Sequence, residues 1–280
     1  MRLALRCLLF DLLQWRENKR MQCLFGLHLG YMLLIMAPVK RIINVLASTG
    51  SPWLFPFITT SPNCILILSI LYVLMVCDAP FLYHFQKYIV HRIGKSNWLK
   101  GQVLYIVITS FIFWTFTLAE SIVLLGSKLE LTEMWGKTIN TIAQSNIGNA
   151  YALAFSIDYK LIISMKPLEA TLLAFFLAML VSIFLGLLIL TLNIGANKNV
   201  GTVVALVLVA MQHFAYMANG YWFFYISPIS WMSLRVVNFS VATTHMPDGK
   251  ACIIVLLVLC IALIGISNKR VKNGALDLVI

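Results

Sequence analysis

The chain has 280 residues, of which 61% are hydrophobic and only 11% charged, with a formal net charge of +11 at pH 7; its mean hydropathy is +0.90. A soluble domain holds about 25% charged and 45–50% apolar residues, so one core cannot hide this surplus and lipid is the expected solvent. The basic residues sit in short clusters between apolar runs, a pattern that orients membrane spans and argues against a nucleic-acid partner.

Residues 1–20 are apolar but too interrupted to span. With Arg2, Arg6, Arg16 and Arg20 on one stripe, they predict an imperfect helix lying at the membrane surface. A first span is expected at about 21–39, where Gly26 and Gly30 form a GxxxG pair that either permits close helix approach or is a chance spacing. Residues 40–62 read as a loop whose Trp53, Phe55 and Phe57 suit an interface. A second span at about 63–79 ends at Asp78-Ala79-Pro80.

The next stretch is two-faced. Numbered as a helix, Leu82, Phe85, Ile89 and Ile93 follow steps of three, four and four residues, and His84, Lys87, His91 and Lys95 follow the same steps on the opposite side. Pro80 is tolerated in a first turn and Gly94 is a stop signal. Residues 80–98 are therefore expected as an amphipathic helix along the membrane surface, between the second span and a third at about 102–125. Residues 126–166 form a polar connection whose middle, AYALAFS, is too short to cross. Spans four and five are expected at about 168–192 and 201–219, joined by the tight turn NIGANKNVG. The aromatic run 220–250 suits a short re-entrant or interface helix. A sixth span at about 251–266 leads into a basic tail, 267–280.

The fold expectation is thus all-α: a single polytopic membrane domain over 1–280 with six spans of about the ~20 residues a bilayer needs. Six spans put both termini on one side. Thirteen of the 21 Lys and Arg residues fall on that side and eight on the other, which makes the termini and the 80–98 helix cytoplasmic in a plasma-membrane protein. Lys40 and Arg41 dissent. No cleavable leader pattern precedes the first span.

Little catalytic chemistry is present. GKS at Gly94–Ser96 lacks the glycine that a phosphate loop needs, since Ile89 stands there. No HExxH, GxSxG or paired-carboxylate motif occurs, so no catalytic, cofactor or metal residue is assigned and no cofactor is expected. The six cysteines (Cys7, Cys23, Cys64, Cys77, Cys252, Cys260) read as packing residues. Glu120, His28 and His213 fall within spans. Each reads either as a packing or headgroup-facing group or as part of a polar pathway.

The run CDAPFLYHFQKYIVHRIGKSNWLKGQVLY resembles the segment after the second span in permease subunits of bacterial ABC exporters of the type-2 class. The resemblance lies in the Asp-Ala-Pro start, the Arg92-x-Gly94 turn, Trp98 and the Gly101-Gln102 pair. YISPISWMSL, Tyr225–Leu234, is similar to the aromatic Ser-Pro-x-Ser-Trp segment before the last span of those proteins. The resemblance implies a transporter subunit that hydrolyses nothing itself. Its partners would be a separate ABC ATPase subunit and a second permease half, identical or not. The 80–98 helix would be the coupling helix. His84, Lys87, His91, Arg92 and Lys95 would then meet the ATPase, within a docking stretch running from Phe81 to Trp98. Phe85, Ile89 and Ile93 would anchor the helix to the bilayer or the permease body, and the turn at 193–200 would add a weaker contact. Two other readings remain: a self-sufficient secondary transporter, and a non-transporting assembly or immunity factor.

Overall fold

The computed structural model describes residues 2–81, 86–195, 199–218, 221–239 and 245–273. In chain order the helices are α1 (Arg2–Leu13), α2 (Lys19–Val45), α3 (Phe55–Ile58), α4 (Pro62–Val76), α5 (Gln86–Ile93), α6 (Lys95–Val123), α7 (Gly136–Gln144), α8 (Ile147–Ala150), α9 (Tyr159–Ser164), α10 (Pro167–Gly195), α11 (Val200–Met217), α12 (Tyr221–Ile226) and α13 (Gly249–Lys272). Among the described residues the only β features are two isolated bridges, Gly50 with Leu129 and Asn238 with Asp248.

Four helices, α2, α6, α10 and α13, are long and apolar enough to cross a membrane. At about 1.5 Å per residue, each exceeds the ~30 Å hydrocarbon layer. α4 and α11 are apolar but shorter. α4 is apolar all round and buried on several sides, with Cys64, Ile65, Leu68, Tyr72, Val73 and Val76 sealed from solvent, as expected of a helix surrounded by others. It packs against α2, α6, α10 and α11.

Close approach at this centre depends on one glycine. A Cβ on Gly186 would stand 2.5 Å from Ile106 Cγ2 and 3.2 Å from the Tyr72 hydroxyl. Short polar links then join the same helices: Tyr72 Oη lies 2.6 Å from Ser110 Oγ, and Trp114 Nε1 donates to Ser182 Oγ at 2.8 Å. Small residues and interhelical hydroxyl bonds do this in a lipid setting, where apolar packing alone gives no preference for protein over lipid.

The six apolar segments expected from the sequence all fall on α2, α4, α6, α10, α11 and α13, with shifted ends. α2 runs on to Val45 because Lys40 and Arg41 are good helix formers and stay exposed on its surface. α13 continues to Lys272, where Lys269, Arg270 and Lys272 complement the negative end of the helix dipole.

Three local expectations are corrected. The N-terminal helix stops at Leu13, and Asn18 starts α2 by accepting from the Arg20 amide at 3.0 Å; the four-arginine stripe is thereby broken between two elements. α1 buries Ala4, Cys7, Leu8 and Asp11, spaced three and four apart, against the first half of α6. Gly101 makes room for it, since a Cβ there would be 2.9 Å from Cys7 Cβ. Phe55 and Phe57 do not face an interface but are fully buried in a segment folded back into the helices, while Trp53 donates to the Thr132 carbonyl at 2.6 Å. The segment 228–234 is buried likewise, and the two meet where Ser233 Oγ donates to the Thr60 carbonyl at 3.3 Å. Finally, Gly26 and Gly30 bring no helix close among the described residues: a Cβ on either would meet nothing within 4 Å.

Candidate functional site

The amphipathic stretch is shorter than its sequence period implies. Gly94 takes φ +83°, a left-handed backbone that L side chains rarely adopt, and this ends α5 at Ile93. Lys95 therefore opens α6 and does not extend the polar face of α5; it is half-buried and engaged with its surroundings. Trp98, at 0% exposure inside α6, and Phe81, at 3%, are core residues and leave the docking stretch. Within α5, Tyr88 and Arg92 are exposed, Ile93 packs against the core, and Val90 is buried beside it. Val90 is an anchor that the step pattern through Phe85 and Ile89 passed over. His84 and Phe85 lie outside the described residues, as do the side chains of Lys87, Ile89 and His91.

What distinguishes this region is how firmly the chain before α5 is held. Residues 77–81 are gripped by four helices. From α2, Arg20 Nη2 lies 2.7 Å from Asp78 Oδ2 and Nη1 lies 3.3 Å from Cys77 Sγ. From α6, Gln102 Oε1 accepts from the Phe81 amide at 3.1 Å, and Tyr105 packs on the Phe81 ring with centroids 4.4 Å apart. From α10, Asn193 Nδ2 donates to the Ala79 carbonyl at 2.6 Å. From α11, Thr202 Oγ1 donates to the Cys77 carbonyl at 3.1 Å.

These grips are linked to one another. Asn193 Oδ1 also accepts from the Gly201 amide at 2.8 Å, which satisfies an orphan donor in the first turn of α11. Gly201 must be glycine for this approach, because its Cβ would lie 2.6 Å from the Ile189 carbonyl oxygen. Gln102 Nε2 donates to Asp11 Oδ2 at 2.9 Å, which ties in α1, and Trp15 Nε1 donates to the Tyr105 hydroxyl at 2.6 Å. Asp11, Gln102 and Asn193 are all within 1% of complete burial. Buried bonds of this kind are costly to leave half-made, so residues 77–81 are held as one unit against α6, α10 and α11. The Arg20–Asp78 pair is partly exposed, and exposed ion pairs contribute only about 0–1 kcal/mol.

Beside this grip, burial pushes the Cys7 thiol up to about 12, with the Asp11 carboxylate adding to the effect. Cys7 is a packing group at neutral pH, as all six free cysteines were expected to be.

The structure brings together two of the three ionisable groups singled out within spans. His28 on α2 and Glu120 on α6 are both buried, and His28 Nδ1 lies 2.8 Å from Glu120 Oε2. His28 Nε2 meets Thr117 Oγ1 at 3.0 Å, and its ring packs edge-on to Phe113. Glu120 is thus turned into the helix contact and not toward headgroups. His213 stands apart on α11, half-buried, with its Nδ1 unpartnered among the described residues. Its neighbour Gln212 is fully buried and, among the described residues, finds no hydrogen-bond partner for either side-chain atom; the buried hydroxyls of Ser69 on α4 and Thr109 on α6 likewise find none among them. The polar connections also fold more than their composition implied, since α7 buries Ile139 and Ile142 and Gly50 pairs with Leu129 across two connecting loops.

Comparison with protein-family models, with curated proteins and with solved structures gives no match to this chain.

Proposed function

We propose that the chain is the membrane-spanning permease subunit of an ATP-driven exporter of the type-2 ABC class, with α5 as its coupling helix. The observation that carries the reading is the four-helix grip on residues 77–81. A surface anchor needs only an apolar face in lipid. Here the chain leading into α5 is instead bonded at once to α2, α6, α10 and α11. A push on α5 is then delivered to the whole bundle. Gly94 gives the far end a sharp joint into α6, so α5 would act as a lever between the held segment 77–81 and α6.

On this reading α4 and α11 complete six spans, with the buried segments around α3 and 228–234 filling the depth that the shorter α4 leaves. Both termini and α5 lie in the cytoplasm, and a second permease half completes the path. The exposed Arg92 and Tyr88, with His84, Lys87 and His91, would meet an ATPase subunit that supplies the nucleotide chemistry this chain lacks. Closing of the ATPase pair would tilt α4 and α6 together.

The test is the double charge reversal Lys87→Glu with Arg92→Glu, scored for copurification of an ATPase, membrane insertion and transport. The reading expects insertion to persist while ATPase binding and transport are lost. Normal transport by the variant would contradict the docking role.

One observation favours the second reading, a self-sufficient secondary transporter. Ionisable pairs inside membrane helices often mark proton pathways, and His28–Glu120 is such a pair. Glu120→Gln decides: loss of transport without loss of folding supports proton coupling, and unchanged transport removes it.

A further inference from the structure

Between α1, the first three turns of α6 and the last turns of α13 lies a crevice of about 490 Å³, within the ~300–1,000 Å³ of ordinary small-molecule sites. Its wall is apolar, formed by Leu99, Val103 and Leu104. At one end the lining turns polar, with Ser96, Lys100 and Asn268. Its α13 side is open at Gly265, where a Cβ would meet nothing within 4 Å.

Among the described residues, the exposed charges on the helix ends at that polar end are of one sign. Lys100 is exposed, and so are Lys269 and Lys272 in the last turn of α13. Arg270 is turned the other way, donating to the Thr191 carbonyl at 2.6 Å. Neither α13 nor the first turns of α6 contain an acidic residue. The one acid on α1, Asp11, is buried and accepts from Gln102. An apolar slot that opens onto two helix ends carrying exposed ammonium groups complements a long hydrocarbon chain attached to an anion.

We propose that this crevice binds one anionic phospholipid, with an acyl chain along Leu99, Val103 and Leu104 and the phosphate at Ser96, Lys100 and Asn268. The site stands independently of the transport reading, since it needs only the packing of α1, α6 and α13. Basic recesses between membrane helices recognise acidic headgroups in this way, and each ammonium near the surface adds a modest preference.

The experiment is native mass spectrometry of the full chain released from vesicles made of equal parts phosphatidylglycerol and phosphatidylcholine. One phosphatidylglycerol should be retained in preference to phosphatidylcholine. Lys100→Gln should lower that preference by roughly fivefold. Gly265→Phe, which fills open space, should reduce retention of both lipids while leaving the thermal midpoint of the chain unchanged. Equal retention of the two lipids, or a Gly265→Phe chain that still holds phosphatidylglycerol, overturns the proposal. Displacement of the lipid by glycerol phosphate alone would make the site a phosphate site and overturns it too. So would lipid binding that begins only when residues 274–280 are removed, since the tail would then be the occupant.

Discussion

Replacing Asn193 by Ala is the sharpest test of the grip at the root of α5. The side chain is 1% exposed and holds two backbone groups at once, the Ala79 carbonyl at 2.6 Å and the Gly201 amide at 2.8 Å. Alanine leaves both unpaired where water does not reach. An orphaned buried group costs about 1–3 kcal/mol, and loss of a helix-start acceptor alone costs about 0.5–2 kcal/mol. The expected loss is therefore about 2–5 kcal/mol. At roughly 2–4 °C per kcal/mol for a chain of this size class, the thermal midpoint should fall by about 5–15 °C.

Thr202→Val serves as the measure. It removes a single bond to the Cys77 carbonyl with little change of shape, so it should cost about 1 kcal/mol. Because both residues hold the same five-residue segment, the double variant should cost less than the two losses together. The assay is thermal unfolding of the purified chain followed by intrinsic tryptophan emission, with transport measured in parallel. A shift for Asn193→Ala no larger than that for Thr202→Val, or full additivity of the pair, would refute the idea that 77–81 is held as one unit.

Further outcomes follow from the same packing. Gly201→Ala places a Cβ 2.6 Å from the Ile189 carbonyl oxygen, so it should cost about 1–3 kcal/mol by overpacking; an unchanged midpoint would show that α10 and α11 are looser than described. Cys7, raised to about 12 against an ordinary 9.0, should alkylate about a thousandfold more slowly than a free thiol at pH 8. Since the folded chain holds that proton more tightly than the unfolded one, stability should fall as pH climbs from about 9 toward 12; a half-maximal alkylation rate near pH 9 would show that α1 does not lie on α6. Gln212→Leu removes two buried polar atoms that have no partner among the described residues, so it should leave stability unchanged or raise it. If Gln212 lines a polar path, transport falls in the same variant; a lowered midpoint would mean that Gln212 is bonded after all.

The helices were legible wherever a long apolar run left no other solvent than lipid, and this holds for α2, α4, α6, α10, α11 and α13. Gly94 was legible as a stop because only a left-handed joint lets α5 turn straight into α6. The burial of 54–61 and 228–234 was not, because their short mixture of aromatic, Pro and Ser residues has no period; the first reads as an interface loop and the second as a re-entrant or interface helix. The grip itself was illegible for a different reason. Its partners are far apart in sequence, such as Arg20 with Asp78 and Asn193 with Ala79, and only folding brings them together. Asp78, Gly101 and Gln102 drew notice as motif residues, but their tasks (ion pair, room for α1, bridge from Asp11 to Phe81) appear only in three dimensions. His28 and Glu120 were each visible as odd residues in apolar runs; that they meet was not.

The account rests on α5 being a lever within reach of a cytosolic ATPase. The direct measurement is a single cysteine at Arg92, which is exposed on α5, probed with a membrane-impermeant maleimide in oriented vesicles. The account predicts labelling in inside-out vesicles, none in right-side-out vesicles, and protection when the copurifying ATPase is added back. Labelling from the external face, or equal labelling with and without the ATPase, would contradict it.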